Sequence, residues 1–346
     1  MIMSFEMDYS RDFSARILEF VRGKGKVLIV AHDNPDPDSL AAAFALRHML
    51  EVNANIDATI AFGGIIGRGE NRAMVKELEI KTVQFEDLDL DQYKVVCMVD
   101  TQPGTGNNSF PSDRDVHIVI DHHPLRDRTR KCKLYDVREG YGAAATILYE
   151  YLLGQEVYVG TKLATILFYA IKSETQDLGR EWTEYDRAAY LNLLQLSNNR
   201  ILYNIAHAQV PREYFSSYNR AIENARLYGS VMVFNLYEID NPDVVADMAD
   251  FLLRMEGIDV VLGMGRYKGK AVLSLRISSH DILAGPLLRS VVGDLGTAGG
   301  HGMTAGAQID PMNGNLAVLR ELETSLTRRL LKELDRPVEK GKRLVL

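Results

Sequence analysis

The first half of the chain alternates short apolar runs with longer stretches whose apolar residues recur at helical spacing. The apolar runs lie at residues 26–31, 56–62, 94–99 and 116–120, and the helical patterns at 39–51 and 142–153. The runs are continuous, with no polar alternation, which is typical of parallel strands covered on both faces. This succession predicts an α/β fold whose N-terminal domain has a mostly parallel sheet flanked by helices.

From about residue 183 the pattern changes to successive helices and then to strands. Helical patterns cover 183–196, 198–209 and 213–227, and strand patterns cover 230–239, 260–267 and 270–277. A Lys-Gly pair joins the last two strands and predicts a hairpin. We therefore predict a first domain at 1–190, a helical linker at 191–228 and a smaller α/β domain at 229–346, with a cleft between the domains. The charged tail at 336–346 is expected to fray.

Composition and charge narrow the class of protein. The 346 residues are 46% hydrophobic and 25% charged, an ordinary balance for a globular protein. The formal net charge of −7 disfavours a protein that coats long duplex nucleic acid, which needs a basic face, but it allows a short anionic substrate. Two cysteines are too few for a disulfide framework or a cysteine-rich zinc site.

The location of the protein is also suggested by the sequence. No apolar run approaches the roughly 18 residues that a membrane span needs. Acidic residues occupy the N-terminal stretch where a secretory signal would be apolar. We expect a cytoplasmic protein without a membrane partner, and the sequence leaves open whether it forms a homodimer.

Acidic and imidazole side chains follow three of the predicted strands. They are His32, Asp36 and Asp38 within HDNPDPDS, Asp100 after the third run, and Asp121, His122 and His123 after the fourth. In parallel sheets, ligands gather beyond the carboxyl ends of the strands. So many acids in one place would repel one another without a cation between them, and a divalent metal is the natural solution.

The types of these residues indicate which metal is bound. Several carboxylates with imidazoles and no thiolate favour Mn²⁺ or Mg²⁺. The acids exceed what one ion needs, and a carboxylate that bridges two ions is usual in the hydrolysis of phosphate esters. The alternative is that Asp38 or Ser39 merely caps a helix beginning near Leu40, which would explain only one of the acids.

These motifs, in this order, resemble the DHH phosphoesterase superfamily. The run Gly296–Gly306 is similar to the glycine-histidine motif of the DHH-associated domain, so the resemblance covers residues 20–335. It implies that His32 and Asp36 bind one Mn²⁺, that Asp38 and His122 bind a second, and that Asp100 bridges them. It also implies that His123 lies against the substrate phosphate and that Asp100, His122 and His123 form the catalytic core. Mg²⁺ or Co²⁺ could replace Mn²⁺.

One further metal ligand departs from the family pattern. Members of the superfamily present an aspartate after an apolar helix, where this chain reads Ala-Ile-Lys-Ser-Glu-Thr at 170–175. Glu174 is therefore the expected ligand, with one methylene more than aspartate. Asp177 could take its place, or Glu174 could be a solvated acid at a helix end.

The second domain is expected to bind the substrate. A glycine-rich turn at Gly299 and Gly300 would leave backbone amides free to approach an anion, with His301 as a further donor. Arg276 and Ser278 end a strand, and the planar guanidinium of arginine suits phosphate. Further cations in this domain, Arg266, Lys268, Lys270 and Arg289, suggest a locally positive wall.

Other apparent signals are weaker. The glycines at 63–69 lack the Lys-Ser/Thr of a phosphate-binding loop and predict a flexible rim. Four histidines without a partner motif are predicted to be structural or exposed, namely His48, His117, His207 and His280.

The resemblance implies a manganese-dependent phosphohydrolase. The two-domain layout resembles nanoRNases, which cleave short oligoribonucleotides and linear dinucleotides, some also 3′-phosphoadenosine 5′-phosphate. An inorganic polyphosphatase or pyrophosphatase is an alternative, and so is a nucleotide-binding regulator whose hydrolysis has decayed. A long-strand exonuclease is disfavoured because added DNA-binding domains are missing.

Overall fold

The computed structural model describes residues 4–279, 281–310, 316–338 and 340–345. The chain forms two compact units, residues 1–208 and 209–346, and their boundary lies within the segment 191–228. Within the described ranges, no helix combines the length and the apolar character needed to cross a bilayer.

The first unit is an α/β layer structure, as predicted. Its six strands are β1 (Val27–Val30), β2 (Ala58–Phe62), β3 (Val83–Gln84), β4 (Val95–Val99), β5 (Ile118–Asp121) and β6 (Leu134–Val137). All neighbours pair in parallel, in the order β3-β2-β1-β4-β5-β6. The helices are α1 (Ser4–Val21), α2 (Pro37–Ala54), α3 (Gly69–Glu77), α4 (Ala144–Gly154), α5 (Thr161–Glu174), α6 (Glu184–Leu196) and α7 (Asn199–Ala206).

The two faces of this parallel sheet are covered differently. Val27 and Ile29 point into a large buried cluster to which the helices contribute. Their neighbours Leu28 and Val30 point to the opposite face, because side chains alternate along a strand. That second face packs against residues from the irregular segments 85–93 and 110–116.

The second unit is built on a seven-stranded mixed sheet. Its strands are β7 (Arg226–Tyr228), β8 (Val231–Glu238), β9 (Val260–Tyr267), β10 (Lys270–Ile277), β11 (Gly296–His301), β12 (Thr304–Ile309) and β13 (Lys342–Arg343). The order is β11-β12-β10-β9-β8-β7-β13, and only β8 and β9 pair in parallel among these described strands. The helices are α8 (Arg212–Asn224), α9 (Asp243–Leu252), α10 (Ala284–Val292) and α11 (Leu316–Glu333).

The predicted hairpin at 260–277 is confirmed, with both residues of its turn, Lys268 and Gly269, in the left-handed region. Two other predictions for this unit were wrong. The helix predicted at 213–227 ends at Asn224, and the next residues form β7. The tail is not simply frayed, because β13 pairs with β7 and the Leu344 amide donates to the Ala225 carbonyl at 3.1 Å.

The glycine-rich segment also differs from the prediction. Gly299 and Gly300 do not form a turn but lie in β11, paired with Gly306 and Ala305 of β12. Gly300 has a φ of +153°, and a Cβ there would lie 2.3 Å from the Thr304 carbonyl oxygen. The glycine therefore permits a close strand approach.

Candidate metal centre

The loop between β1 and α2 positions the first acids. Asp36 caps α2, with its Oδ1 accepting the Ser39 amide at 2.9 Å, and Pro37 begins the helix. The cap is therefore neither Asp38 nor Ser39, the two residues that the alternative interpretation proposed. The second Asp36 oxygen, Oδ2, lies 3.4 Å from His32 Nε2. One carboxylate thus both starts the helix and faces an imidazole.

Asp38 joins α2 to α4. Its two oxygens accept the amides of Ala144 and Ala145 at 2.7 and 2.8 Å, at the N-terminal end of α4, where unpaired amides favour an anion. Its Oδ2 is also 3.8 Å from His122 Nε2. The side chain is fully buried, so its position is set by both helices.

Asp100 lies at the centre of the cluster. It follows β4 with a φ of +54°, a left-handed conformation that is uncommon for a residue with a side chain. Oδ2 is 3.6 Å from His32 Nε2, and Oδ1 is 3.4 Å from His122 Nε2 and 3.5 Å from His123 Nδ1. Oδ1 is buried and accepts no hydrogen bond from the described residues.

Backbone carbonyls orient two of the histidines. His32 Nδ1 lies 2.9 Å from the Asp33 carbonyl oxygen, and His122 Nδ1 lies 3.0 Å from that of Tyr141. A carbonyl only accepts, so Nδ1 carries the proton in both rings. In the neutral rings Nε2 then carries the lone pair that could bind a metal, and in both rings it is the atom that faces the acids.

The side chains form two ligand groups that share one member. One group is His32, Asp36 and Asp100, and the other is Asp100, Asp121, His122 and His123; within each group the candidate ligand atoms lie within 4.8 Å of one another. We refer to His32, Asp36, Asp38, Asp100, His122 and His123 as the metal edge. Asp100 belongs to both groups, so its carboxylate lies within reach of the candidate ligands on either side.

The electrostatics of the metal edge fit a bound cation. Burial, with the charge of Asp100, raises the pKa of Asp38 well above its usual range. Burial would lower the pKa of His32, but Asp36 and Asp100 raise it to about 10. The carboxylates thus repel one another and attract positive charge, and their hard oxygen donors with imidazole suit Mn²⁺ or a similar divalent ion.

Glu174 and Asp177 are the two candidates for the last predicted metal ligand, and their surroundings differ. Burial, followed by the charge of Asp36, raises the pKa of Glu174 to about 7, so this carboxyl group lies within electrostatic reach of the metal edge. Asp177 is exposed and accepts hydrogen bonds from Lys172 and from the Tyr190 hydroxyl. Glu174 is therefore the acid that senses the charges of the metal edge, whereas Asp177 is engaged by Lys172 and Tyr190.

Several residues that position the candidate ligands were not predicted from the sequence. Gln102 is fully buried, and its Nε2 donates to Asp121 Oδ2 at 2.7 Å. Asp121 Oδ1 in turn accepts His123 Nδ1 at 2.9 Å and the His122 amide at 2.8 Å. Gln102 and Asp121 thus hold both histidines. A polar residue two positions after a strand-end acid was the only available signal.

Asp33 likewise acts as a support. Its Oδ1 accepts the amides of Gly63 and Ser109 at 3.1 and 2.9 Å, and its Oδ2 accepts the Ser109 hydroxyl at 2.9 Å. A Cβ at Gly63 would lie 2.3 Å from the Asp33 carboxylate, so a larger residue there would displace that side chain. The glycine-rich loop after β2 is therefore fastened to the HDNPDPDS motif.

A buried ionic network lies behind His122. Arg138 donates to Asp136, to Glu150 Oε2 at 2.6 Å and to the Tyr141 hydroxyl at 3.0 Å. The Tyr141 carbonyl is the acceptor that orients His122. The network therefore fixes the residue that sets the orientation of the ring.

The second unit places the predicted substrate residues as follows. Arg276 is buried and its Nε donates to Asp250 Oδ1 at 2.6 Å, so its charge is already paired. Ser278 is exposed at the end of β10, and its amide donates to the Asp259 carbonyl. Gly299 has open space where a Cβ would lie. The side chain of His301 lies outside the described part of the structure, as does His280.

Comparison with protein families gives two matches. Residues 26–171 match the DHH family, N-terminal domain, and residues 229–327 match the DHHA1 domain. The first match contains the metal edge, and the second contains β11 and β12.

The matches to individual relatives cover only part of each relative's length. An uncharacterized protein of Methanocaldococcus jannaschii is 36% identical over 288 residues, which are 83% of this chain and 58% of that protein. A probable manganese-dependent inorganic pyrophosphatase of Staphylococcus haemolyticus is 27% identical over 150 residues, 43% of this chain and 48% of that protein. The chain thus spans about half the length of the curated relatives it matches.

A solved structure shows a similar fold. The crystal structure of an exopolyphosphatase-related protein from Bacteroides fragilis has a TM-score of 0.71 and covers 94% of this chain and 98% of its own. Its sequence identity is 13%, so the likeness concerns the fold alone.

Proposed function

Because the chain belongs to the DHH phosphoesterase superfamily, we propose that it is a Mn²⁺-dependent phosphohydrolase of short oligonucleotides or linear dinucleotides. The observation that carries the proposal is Asp100, a buried carboxylate common to both ligand groups. Hydrolysis at phosphorus is the chemistry for which two ions bridged by a carboxylate are commonly used. The compound 3′-phosphoadenosine 5′-phosphate is a further candidate substrate.

The ligands divide between two ions. His32 and Asp36 would hold one ion, Asp38 and His122 the other, with Asp100 between them and Glu174 completing the set. Bound divalent ions would lower the pKa of a water molecule and neutralise charge on the phosphoryl oxygens. The protein's contribution is to hold its donors in place, which the carbonyls of Asp33 and Tyr141 do for two of the imidazoles.

His123 is assigned to the substrate. Its Nδ1 donates to Asp121, which leaves Nε2 to face a ligand, and the side chain is only partly buried. Burial and His122 would lower its pKa, but Asp121 and Asp100 raise it, which favours the protonated ring and a donor to a phosphate oxygen. We assign further substrate contacts to Ser278, Gly299, Gly300 and His301 of the second unit, and to Arg276, which would have to exchange its Asp250 partner for a phosphate.

A substrate panel tests the proposed function. Purified protein with Mn²⁺, Mg²⁺ or Co²⁺ would be given pApA, a five-nucleotide RNA, 3′-phosphoadenosine 5′-phosphate, pyrophosphate and polyphosphate. We expect the largest kcat/KM with pApA or the short RNA, and loss of turnover with EDTA. If the protein binds pApA but hydrolyses it with none of these metal ions, the proposal of an enzyme is wrong and a nucleotide-binding regulator is favoured.

A second candidate, an inorganic pyrophosphatase, is favoured by one observation. The relatives matched over 150 residues include a probable manganese-dependent inorganic pyrophosphatase. The same panel distinguishes the two, since preference for pyrophosphate by more than tenfold in kcat/KM would replace the nucleotide assignment.

A further inference from the structure

The connection from β5 to β6 carries an unusual concentration of positive charge. Of its residues, Arg126, Arg128, Arg130, Lys131 and Lys133 are cationic and only Asp127 is acidic. We call residues 126–133 the basic segment; its net charge is +4 in a chain whose net charge is −7. All five cations are exposed, and no described carboxylate forms an ion pair with them.

The topology distributes these cations along the strand direction, from one end of the sheet to the other. Strands β5 and β6 are parallel neighbours, so the chain must return from the carboxyl end of one to the amino end of the other. A four-residue strand is about 13 Å long. The cations therefore run from the metal edge to the opposite edge, a distance that matches roughly two to four phosphates of a nucleic-acid strand.

Gln102 fastens the beginning of the basic segment beside the metal edge. Its Oε1 accepts the Arg126 amide at 2.9 Å and the Thr129 hydroxyl at 2.8 Å, while its Nε2 holds Asp121. The Arg128 side chain lies over Gly104, where a Cβ would be 2.9 Å from its Cδ. The segment is thus fixed in position next to the ligands.

The far end of the basic segment lies near a partly apolar pocket. The pocket, of about 220 Å³, is lined by Leu90, Tyr93, Val96, Phe110, Arg114, Asp115 and His117. Cys132 packs against the same hydrophobic layer as Val96 and Phe110, so the segment and the pocket share one face of the sheet. An apolar cavity of about 150 Å³ can hold a benzene ring, so this aromatic pocket can hold one nucleobase ring.

The pocket also offers a defined polar group. His117 Nδ1 accepts the Val96 amide at 3.1 Å, so in the neutral ring the proton is on Nε2. Burial lowers the pKa of His117, which favours this neutral form. A base could therefore pack against Tyr93 and Phe110 and accept a hydrogen bond from His117.

We propose that the basic segment and the aromatic pocket bind a single-stranded oligonucleotide that extends from the metal edge, with phosphates on the cations and one base in the pocket. This inference rests on the proposed function and adds a binding site to it. An inorganic polyphosphate could use the cations, but it has no ring to place in the pocket lined by Tyr93 and Phe110. The pocket is what favours a nucleotide chain.

Binding without turnover tests the basic segment. A fluorescent five-nucleotide RNA would be titrated in EDTA with wild type, with R126Q/R128Q/R130Q, and with a control, R22Q/K76Q/K81Q, that removes three exposed cations elsewhere in the first unit. We expect at least tenfold weaker binding only for the first variant, and a log–log salt slope lower by about 2. Equal binding by the two variants would overturn the proposal.

A ligand change tests the aromatic pocket without risk to folding. An abasic five-unit strand keeps the phosphates and loses the bases, and we expect wild type to bind it about tenfold more weakly than RNA. Tyr93→Ala should reduce this difference to about threefold or less. If the difference is unchanged in that variant, or if polyphosphate competes with RNA as well as RNA itself does, the oligonucleotide assignment is wrong.

Hydrolysis separates this proposal from the proposed function. If wild type hydrolyses pApA and R126Q/R128Q/R130Q raises the KM of the five-nucleotide RNA about tenfold but that of pApA less than twofold, both stand. If nothing is hydrolysed and the EDTA binding results hold, only the proposed enzymatic function fails. If pApA is hydrolysed and the RNA KM is unchanged, only the basic segment proposal fails.

Discussion

The metal edge of the first unit and the hairpin of β11 and β12 in the second differ in residue composition and in what determines their geometry. The metal edge holds several buried charged side chains, each positioned by a backbone group or another side chain. The hairpin is composed largely of glycine, alanine and threonine, and its geometry depends on two backbones that approach closely. One region depends on charge and the other on the absence of side-chain atoms.

This difference determines how each region should respond to substitution. Removing one charge from the metal edge changes the affinity for a cation but leaves most of the packing intact. Adding one methyl group to the hairpin leaves every charge in place but forces two strands apart. Activity and stability should therefore separate between the two regions.

The largest effect is expected at Asp100. Asp100→Asn removes the only negative charge that both ligand groups share, and we expect kcat/KM for pApA to fall about 10³-fold, equivalent to about 4 kcal/mol. Circular dichroism and thermal unfolding should be nearly unchanged. The matched control is Asp177→Asn, an exposed acid whose loss should change kcat/KM less than twofold. Retained activity in Asp100→Asn would refute the bridging role.

The next effect concerns the hairpin. Gly300→Ala places a Cβ 2.5 Å from the Ala305 Cα at a φ of +153°, and we expect the free energy of unfolding to fall by about 3 kcal/mol. Gly299→Ala, which meets no described atom within 4 Å, is the control and should change it by less than about 0.5 kcal/mol. Urea unfolding of both variants measures this, and similar values for the two would show that the close approach is unimportant.

A smaller effect is expected from the support of the histidines. Gln102→Leu keeps the volume but removes the donor to Asp121, and we expect a roughly 10- to 100-fold loss of Mn²⁺ affinity or kcat. Calorimetric titration with Mn²⁺ and steady-state kinetics separate the two. Gln92→Leu, at an exposed position, serves as control. Wild-type values in Gln102→Leu would mean that Asp121 keeps its position and its bond to His123 without Gln102.

The smallest effect distinguishes the roles of Glu174. Glu174→Gln removes a charge near the metal edge, and we expect about tenfold weaker Mn²⁺ binding by calorimetry, about 1.4 kcal/mol. Glu174→Asp keeps the charge and should bind Mn²⁺ within threefold of wild type. If Glu174→Gln binds Mn²⁺ as wild type does, Glu174 is not a metal ligand.

Much of the first unit could be predicted because its signals are local. The continuous apolar runs marked β1, β2, β4 and β5, and the charged residues followed them directly in the chain. Parallel strands place their carboxyl ends at the same end of the sheet, so His32, Asp100 and His122 could be expected there, and the strand order β1-β4-β5 makes them neighbours. By contrast, β3 has only two residues, and no apolar run of that length is distinctive.

Other features depended on contacts between distant residues. The interpretation of Gly299 and Gly300 as a turn failed because glycine allows a turn and a close strand pairing equally well. The sequence around Arg276, in β10, gives no sign of its partner Asp250, which lies in α9. Gln102 contacts Arg126 and Thr129 through a loop that the pattern of apolar residues does not describe.

The sequence alone was enough to identify the α/β class, the ends of the strands where chemistry gathers and the types of ligand present there, because these follow from local periodicity and residue type. The structure decided that Asp36 caps α2, that Asp100 is shared by two ligand groups, and that Glu174 lies within electrostatic reach of the metal edge. It also placed the basic segment along the sheet. Apart from the Asp36 cap, which joins residues three positions apart, each of these depends on the distance between residues far apart in the chain, which residue type does not encode.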